Sequence, residues 1–163
     1  MKKLALTDFA KYRYPSALEL SPDGRYLAFA LKEVDREGDG YRWNLWLYDL
    51  ESRVSRQITR GDHQRQAVWE DNTHILYKTT ELDEAMRARG FEEEWTVYHR
   101  LNVCTGEECE AFRLPMSVSG LWKMDEGRYV FTGETHLDRP NLLELTGEAL
   151  EKELVRRQQT KGY

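Results

Sequence analysis

A ten-residue pattern recurs along the chain, and it constrains the fold more than any other feature. "LSPDGRYLAF" at 20–29 returns as "VWEDNTHILY" at 68–77 and again as "KMDEGRYVFT" at 123–132. The first copy states the chemistry most clearly. Pro22 fixes φ near the value a turn needs, Asp23 can bond back to nearby backbone amides, and Gly24 accepts positive φ. Beyond the turn, Tyr26, Ala28 and Ala30 alternate with Leu27, Phe29 and Leu31, apolar on both sides, which predicts a strand covered on both faces. Asp71-Asn72 and Gly127-Arg128-Tyr129 occupy the same places in the later copies. The step of roughly 50 residues lies in the range of propeller blades.

The second half of each unit repeats as well. "WNLWLYDLESRVSRQIT" places Leu45, Leu47 and Tyr48 before a turn at Glu51–Ser52, with Val54 and Ile58 after it. "WTVYHRLNVCTGEECEAFRL" does the same around Thr105-Gly106. Four antiparallel strands in each ~50-residue unit make one blade. The expected fold class is therefore all-β: a partial β-propeller of about two and a half four-stranded blades, with a short C-terminal helix. Blade one is expected at about 15–60, blade two at about 64–115 and a partial blade three at about 118–145. Its "RYVFTGET" and "NLLELT" segments read as strands. A helix is expected at about 147–157, where Leu150 and Leu154 stand four apart, Glu148 can pair with Lys152 and Thr146 can cap. Propellers commonly have about 4–8 blades, so the chain reads as a fragment of one. Open blade edges then favour self-association, most simply a two-fold homodimer.

Composition narrows the class. Charged residues make up 33%, mean hydropathy is -0.77 and the net charge is -5, yet five Trp and nine Tyr raise aromatics to 12%. Such aromatic content belongs to an ordered domain with long solvated loops. The acidic balance argues against nucleic acid or an anionic membrane as partner. No apolar run approaches ~18 residues, and "MKKLALTDFAKYRYP" lacks the apolar core of a signal peptide, so the cytoplasm is the expected compartment. There, Cys104 and Cys109 of "CTGEEC" are expected as free thiols, although a cross-hairpin disulfide is geometrically conceivable. His63, His74, His99 and His136 are scattered, so neither metal nor cofactor is implied.

"SPDGRYLAF", "NLWLYDLESRVSRQIT" and "VWEDNTHILY" together resemble the N-terminal β-propeller of prolyl oligopeptidase-family serine peptidases, and most the acylaminoacyl peptidase and dipeptidyl aminopeptidase subgroup. The resemblance covers about 15–135. It implies a propeller that gates a C-terminal α/β-hydrolase domain carrying a Ser-Asp-His triad, and that admits only short peptides. No Gly-x-Ser-x-Gly elbow occurs in the 163 residues. "MSVSG" at 116–120 offers Ser117 and Ser119 but lacks the leading glycine, so no catalytic residue carries over.

One stretch, "GFEEEWTVY" at 90–98, resembles the acidic motif by which dipeptidyl peptidase propellers hold a substrate's free amine. Glu92, Glu93 and Glu94 are thus the candidate substrate-binding residues, since paired carboxylates in a cavity recognise an ammonium by charge-assisted hydrogen bonds. The competing reading is a solvated acidic loop balanced by Arg87 and Arg89. His74 aligns with Tyr26 and Tyr129 and reads as structural. Trp43, Trp46, Trp69, Trp95 and Trp122 read as packing between blades. At the level of the whole chain, the alternative to a peptidase propeller is a stand-alone interaction module.

Overall fold

The computed structural model describes residues 6–79, 95–125, 127–134 and 139–160. Strands β1 (Tyr14–Leu20) and β2 (Tyr26–Asp35) are joined by the Ser-Pro-Asp-Gly turn. Asp23 Oδ1 accepts from Ser21 Oγ at 2.6 Å and from the Arg25 amide at 3.1 Å. Ser21 Oγ in turn accepts from the Tyr26 amide at 2.9 Å, while Gly24 takes φ +73°. The turn is therefore specified by its own side chains. Strands β3 (Gly40–Asp49) and β4 (Val54–Gln57) complete an antiparallel sheet of order β1-β2-β3-β4. At their turn Asp49 Oδ1 accepts from the amides of Glu51 and Ser52.

The second repeat obeys the same logic. Strands β5 (Ala67–Trp69), β6 (His74–Thr79), β7 (Thr96–Asn102) and β8 (Glu108–Leu114) form a sheet of order β5-β6-β7-β8. Asp71 Oδ1 accepts from the amides of Thr73 and His74, and Asn102 Oδ1 from those of Cys104 and Thr105. The third repeat supplies β9 (Val118–Asp125) and β10 (Arg128–Gly133), an antiparallel pair turned at Gly127, φ +75°. In each four-stranded sheet, strands consecutive in the chain are neighbours, which is the up-and-down order of a propeller blade.

The chain divides into two compact units, one of residues 1–79 and 99–109, the other of 80–98 and 110–163. In the first, Ala28, Ala30, Leu45 and Leu47 pack with Ala67, Trp69, Ile75, Tyr77, Leu101 and Val103. The two alanines of β2 leave room for a close sheet-to-sheet approach. The Trp69 ring stacks on Tyr26 with centroids 6.5 Å apart, and its indole N–H donates to the Glu19 carbonyl at 3.0 Å. Coverage of β2 is unequal: Ala28 and Ala30 are sealed, whereas Leu27 and Phe29 on the other face are half-buried. Strand β1 is exposed along its whole length, and its register slips between Ser16 and Glu19 around Ala17, which takes φ +49°. That bulge twists an edge that would otherwise invite pairing.

In the second unit, Tyr98 stacks on Phe112, which meets Tyr129, and Val118 and Leu121 are buried. Trp122, Met124 and Val130, by contrast, are 47%, 67% and 48% exposed. The Trp122 ring lies close over Gly120, where a Cβ would stand 2.4 Å from it.

"NLLELT" departs from expectation. It is a 3₁₀ turn at Leu142–Glu144 rather than a strand, because Asn141 caps it by accepting from the Leu143 amide at 3.1 Å. Leu142 can then be buried against Leu154 of the helix α1 (Gly147–Thr160). Glu148 pairs with Lys152 at 2.7 Å, as the spacing predicts. Val155 points outward, and the inner face instead buries Glu153 with Arg157, paired at 3.1 Å. Arg157 also donates to the Pro140 carbonyl at 2.6 Å, so the buried charges are satisfied. No helix among the described residues is long and apolar enough to cross a membrane.

Candidate functional site

Glu92, Glu93 and Glu94 lie outside the described residues. The chain immediately after them is firmly held. Trp95 packs against the cluster of Leu142 and Leu154, with Leu145 and Leu150 beside it. Thr96 is 1% exposed, and its Oγ1 donates to the Met116 carbonyl at 2.8 Å and accepts from the Val118 amide at 3.0 Å.

Further along β7 stands a cluster that the sequence did not suggest. Tyr77 Oη donates to Glu108 Oε1 at 2.6 Å, and His99 Nδ1 donates to the same oxygen at 2.5 Å. The Tyr77 and His99 rings are 6.0 Å apart. One carboxylate thus joins side chains of β6, β7 and β8. Arg100, the next residue, forms a two-pronged pair with Glu70, one prong at 2.8 Å. Both groupings tie strands together, and strand alternation alone could not have announced partners 31 and 30 residues apart.

His74 holds a turn, as its alignment suggests: Nδ1 reaches Asp71 Oδ2 at 2.9 Å and Nε2 lies 3.2 Å from Asn102 Nδ2. Burial works to raise the Asp71 pKa, but amide hydrogen bonds from Thr73 and His74 outweigh it and hold the value down to about 2. Burial pushes the Tyr98 hydroxyl up to about 12. Burial also raises Tyr26, helped by its hydrogen bond with Cys104, and lowers Lys78, helped by the charge of Arg65.

Cys104 and Cys109 are free and exposed. Ser117 accepts from the Glu134 amide through its carbonyl, and Ser119 Oγ lies 2.9 Å from Thr132 Oγ1, so both help pair β9 with β10. Among the described residues no group of three or more His, Cys, Asp or Glu side chains could hold a metal ion. The tryptophans divide in role. Trp69 packs between sheets, Trp95 packs beside α1, Trp43 lies under Arg65 at 4.1 Å, and Trp122 is exposed, unlike the packing expected for it.

No family model matches the chain, and no curated protein matches it in sequence. Solved structures match it in fold. The β-propeller domain of the Trilobed protease from Pyrococcus furiosus superposes with a TM-score of 0.54 at 14% identity, over 76% of this chain and 34% of that one. The Pyrococcus horikoshii acylaminoacyl peptidase gives 0.52 at 13% identity, over 71% of this chain and 16% of that one. AtxE2 isopeptidase gives 0.53 at 16% identity, over 90% and 23%. The chain therefore has the fold of part of a β-propeller, with three antiparallel sheets of four, four and two strands among the described residues. It spans about a third or less of the length of these structural neighbours.

Proposed function

We propose that the chain is the N-terminal propeller portion of a prolyl oligopeptidase-family serine peptidase acting on short peptides, of the acylaminoacyl or dipeptidyl aminopeptidase kind. Its role is to gate and filter substrate for an α/β-hydrolase domain, and it contributes no catalytic residue of its own. The observation that carries this reading is the likeness of its blades to the β-propeller domain of one protease and to parts of an acylaminoacyl peptidase and an isopeptidase. Glu92, Glu93 and Glu94 are the proposed amine-binding residues, on the likeness of "GFEEEWTVY" to the acidic motif of dipeptidyl peptidase propellers. The open blade edge at β10, beside the exposed Trp122, Met124 and Val130, is the proposed surface through which two copies of the 163-residue chain pair.

The test is to read and express the full open reading frame that contains this sequence. A Gly-x-Ser-x-Gly elbow, labelling by a fluorophosphonate and hydrolysis of short-peptide chromogenic substrates are expected. Within that enzyme, Glu93→Gln should lower kcat/KM about ten- to a hundredfold for free-amine peptides and spare N-acylated ones. A reading frame without the elbow would leave a stand-alone interaction module.

A further inference from the structure

We propose that a groove on the first sheet binds a small aromatic or apolar carboxylate, with Lys32 as its counter-charge. The groove is open to solvent, spans about 660 Å³ and is lined by Phe9, Ala10, Tyr14, Lys32, Val34 and Tyr41. Its volume lies within the roughly 300–1,000 Å³ typical of small-molecule sites. Sheet register builds it. Tyr14 stands opposite Lys32, Lys32 opposite Trp43, and Val34 opposite Tyr41, so side chains of three strands share one face. Phe9 and Ala10 close one side from the 3₁₀ turn Leu6–Lys11.

The electrostatics select the ligand. Lys32 Nζ lies 3.7 Å from the Tyr41 ring centroid and 5.4 Å from that of Trp43. Among the described residues it makes no ion pair. Glu33, its neighbour in sequence, pairs with Arg13 at 2.7 Å, and Asp8 of the 3₁₀ turn pairs with Lys11 at 2.6 Å. Arg65 adds a second cation over Trp43. An ammonium among rings, with no ion-pair partner among the described residues, complements a singly charged anion on an apolar body. A cationic ligand meets like charge, and a neutral one leaves the ammonium uncompensated. Two sources supply this chemistry: a peptide's C-terminus with an aromatic last residue, or a free aryl-alkyl acid. The site is separate from the proposed peptidase role and stands or falls independently of it.

Isothermal titration of the full chain with N-acetylphenylalanine, its amide and 3-phenylpropionate tests the proposal. Both acids are expected to bind, the amide at least about tenfold more weakly. Added sodium chloride should weaken the acids and leave the amide unchanged. Lys32→Met should abolish the preference for acid over amide. Tyr14→Ser, on the exposed strand β1, removes a wall of the groove and should weaken both acids. Tighter binding of N-acetylphenylalanine supports the site with a peptide terminus as its source, and tighter binding of 3-phenylpropionate supports it with a free acid. Equal binding of acid and amide, no binding of either acid at millimolar concentration, or a salt-insensitive acid affinity would overturn it.

Discussion

The hairpins β1–β2 and β9–β10 begin from nearly the same sequence and end in different surroundings. Both turn at a positive-φ glycine, and both follow it with Arg and Tyr: Gly24-Arg25-Tyr26 and Gly127-Arg128-Tyr129. In each, the tyrosine meets another ring, Trp69 in one case and Phe112 in the other. In the first hairpin the second strand is flanked by β3, and Ala28 and Ala30 lose all contact with solvent. In the last, β10 pairs only with β9 among the described strands, and Val130 remains half in water. Turn geometry is thus written locally, in a few residues. Burial of the strands that leave the turn depends on residues tens of positions away.

The largest test of this contrast is truncation on its two sides. Leu45→Ala, in the sealed core, should cost about 2–5 kcal/mol, whereas Val130→Ala should stay within about 0.5 kcal/mol. Urea unfolding of both variants measures the difference; similar costs would erase it. Next come the turns themselves. Gly24→Ala and Gly127→Ala have open space for the added methyl group, so each should cost only the backbone strain of positive φ, about 1–2 kcal/mol. Equal losses would sharpen the claim that the two turns are the same device, and unequal ones would weaken it.

A smaller effect concerns acid. Asp71 titrates lower in the folded protein than in the unfolded chain. Its stabilisation is therefore complete above an unfolded value of about 4 and fades as pH falls toward 2. Asp71→Asn should flatten that part of the stability profile, read as the urea midpoint at pH 5 and at pH 2.5. In the β9–β10 turn Asp125 is also lowered, chiefly by its hydrogen bond from Arg128, but it is exposed and solvent screening should leave its contribution slight. The least change in stability is expected from Met124→Lys combined with Val130→Lys, again within about 0.5 kcal/mol. The same pair should abolish any concentration-dependent association seen by light scattering.

What could be read in the sequence was mostly local. Ser21, Asp23 and Gly24 announce their turn, and Asp49, Asp71 and Asn102 each bind the amides that follow them. The 50-residue step then orders the strands into blades. Less legible was which apolar residues stay outside. Leu18 and Leu20 look like core, yet β1 is an exposed edge, and nothing in their own neighbourhood distinguishes them from Leu45 and Leu47. "NLLELT" carries strand-like apolar content, and its fate turned on Asn141 as a cap and on Leu154, twelve residues beyond Leu142. Of the candidate site, the glutamates stood out as a motif. The Tyr77–Glu108–His99 cluster and the Lys32 groove did not, because each is assembled by sheet register from separated strands.

The stacking of Trp69 on Tyr26 also makes this protein its own optical gauge. Two chromophores held at an interplanar angle of 17° in an asymmetric setting contribute to the near-ultraviolet circular dichroism, and subtracting the spectrum of Trp69→Phe isolates the band of that one junction from those of the other aromatic residues. If the first two sheets separate before their hydrogen-bonded ladders melt, that band will vanish while the far-ultraviolet signal persists. The order in which blades undock and strands unravel can then be followed without attaching a label.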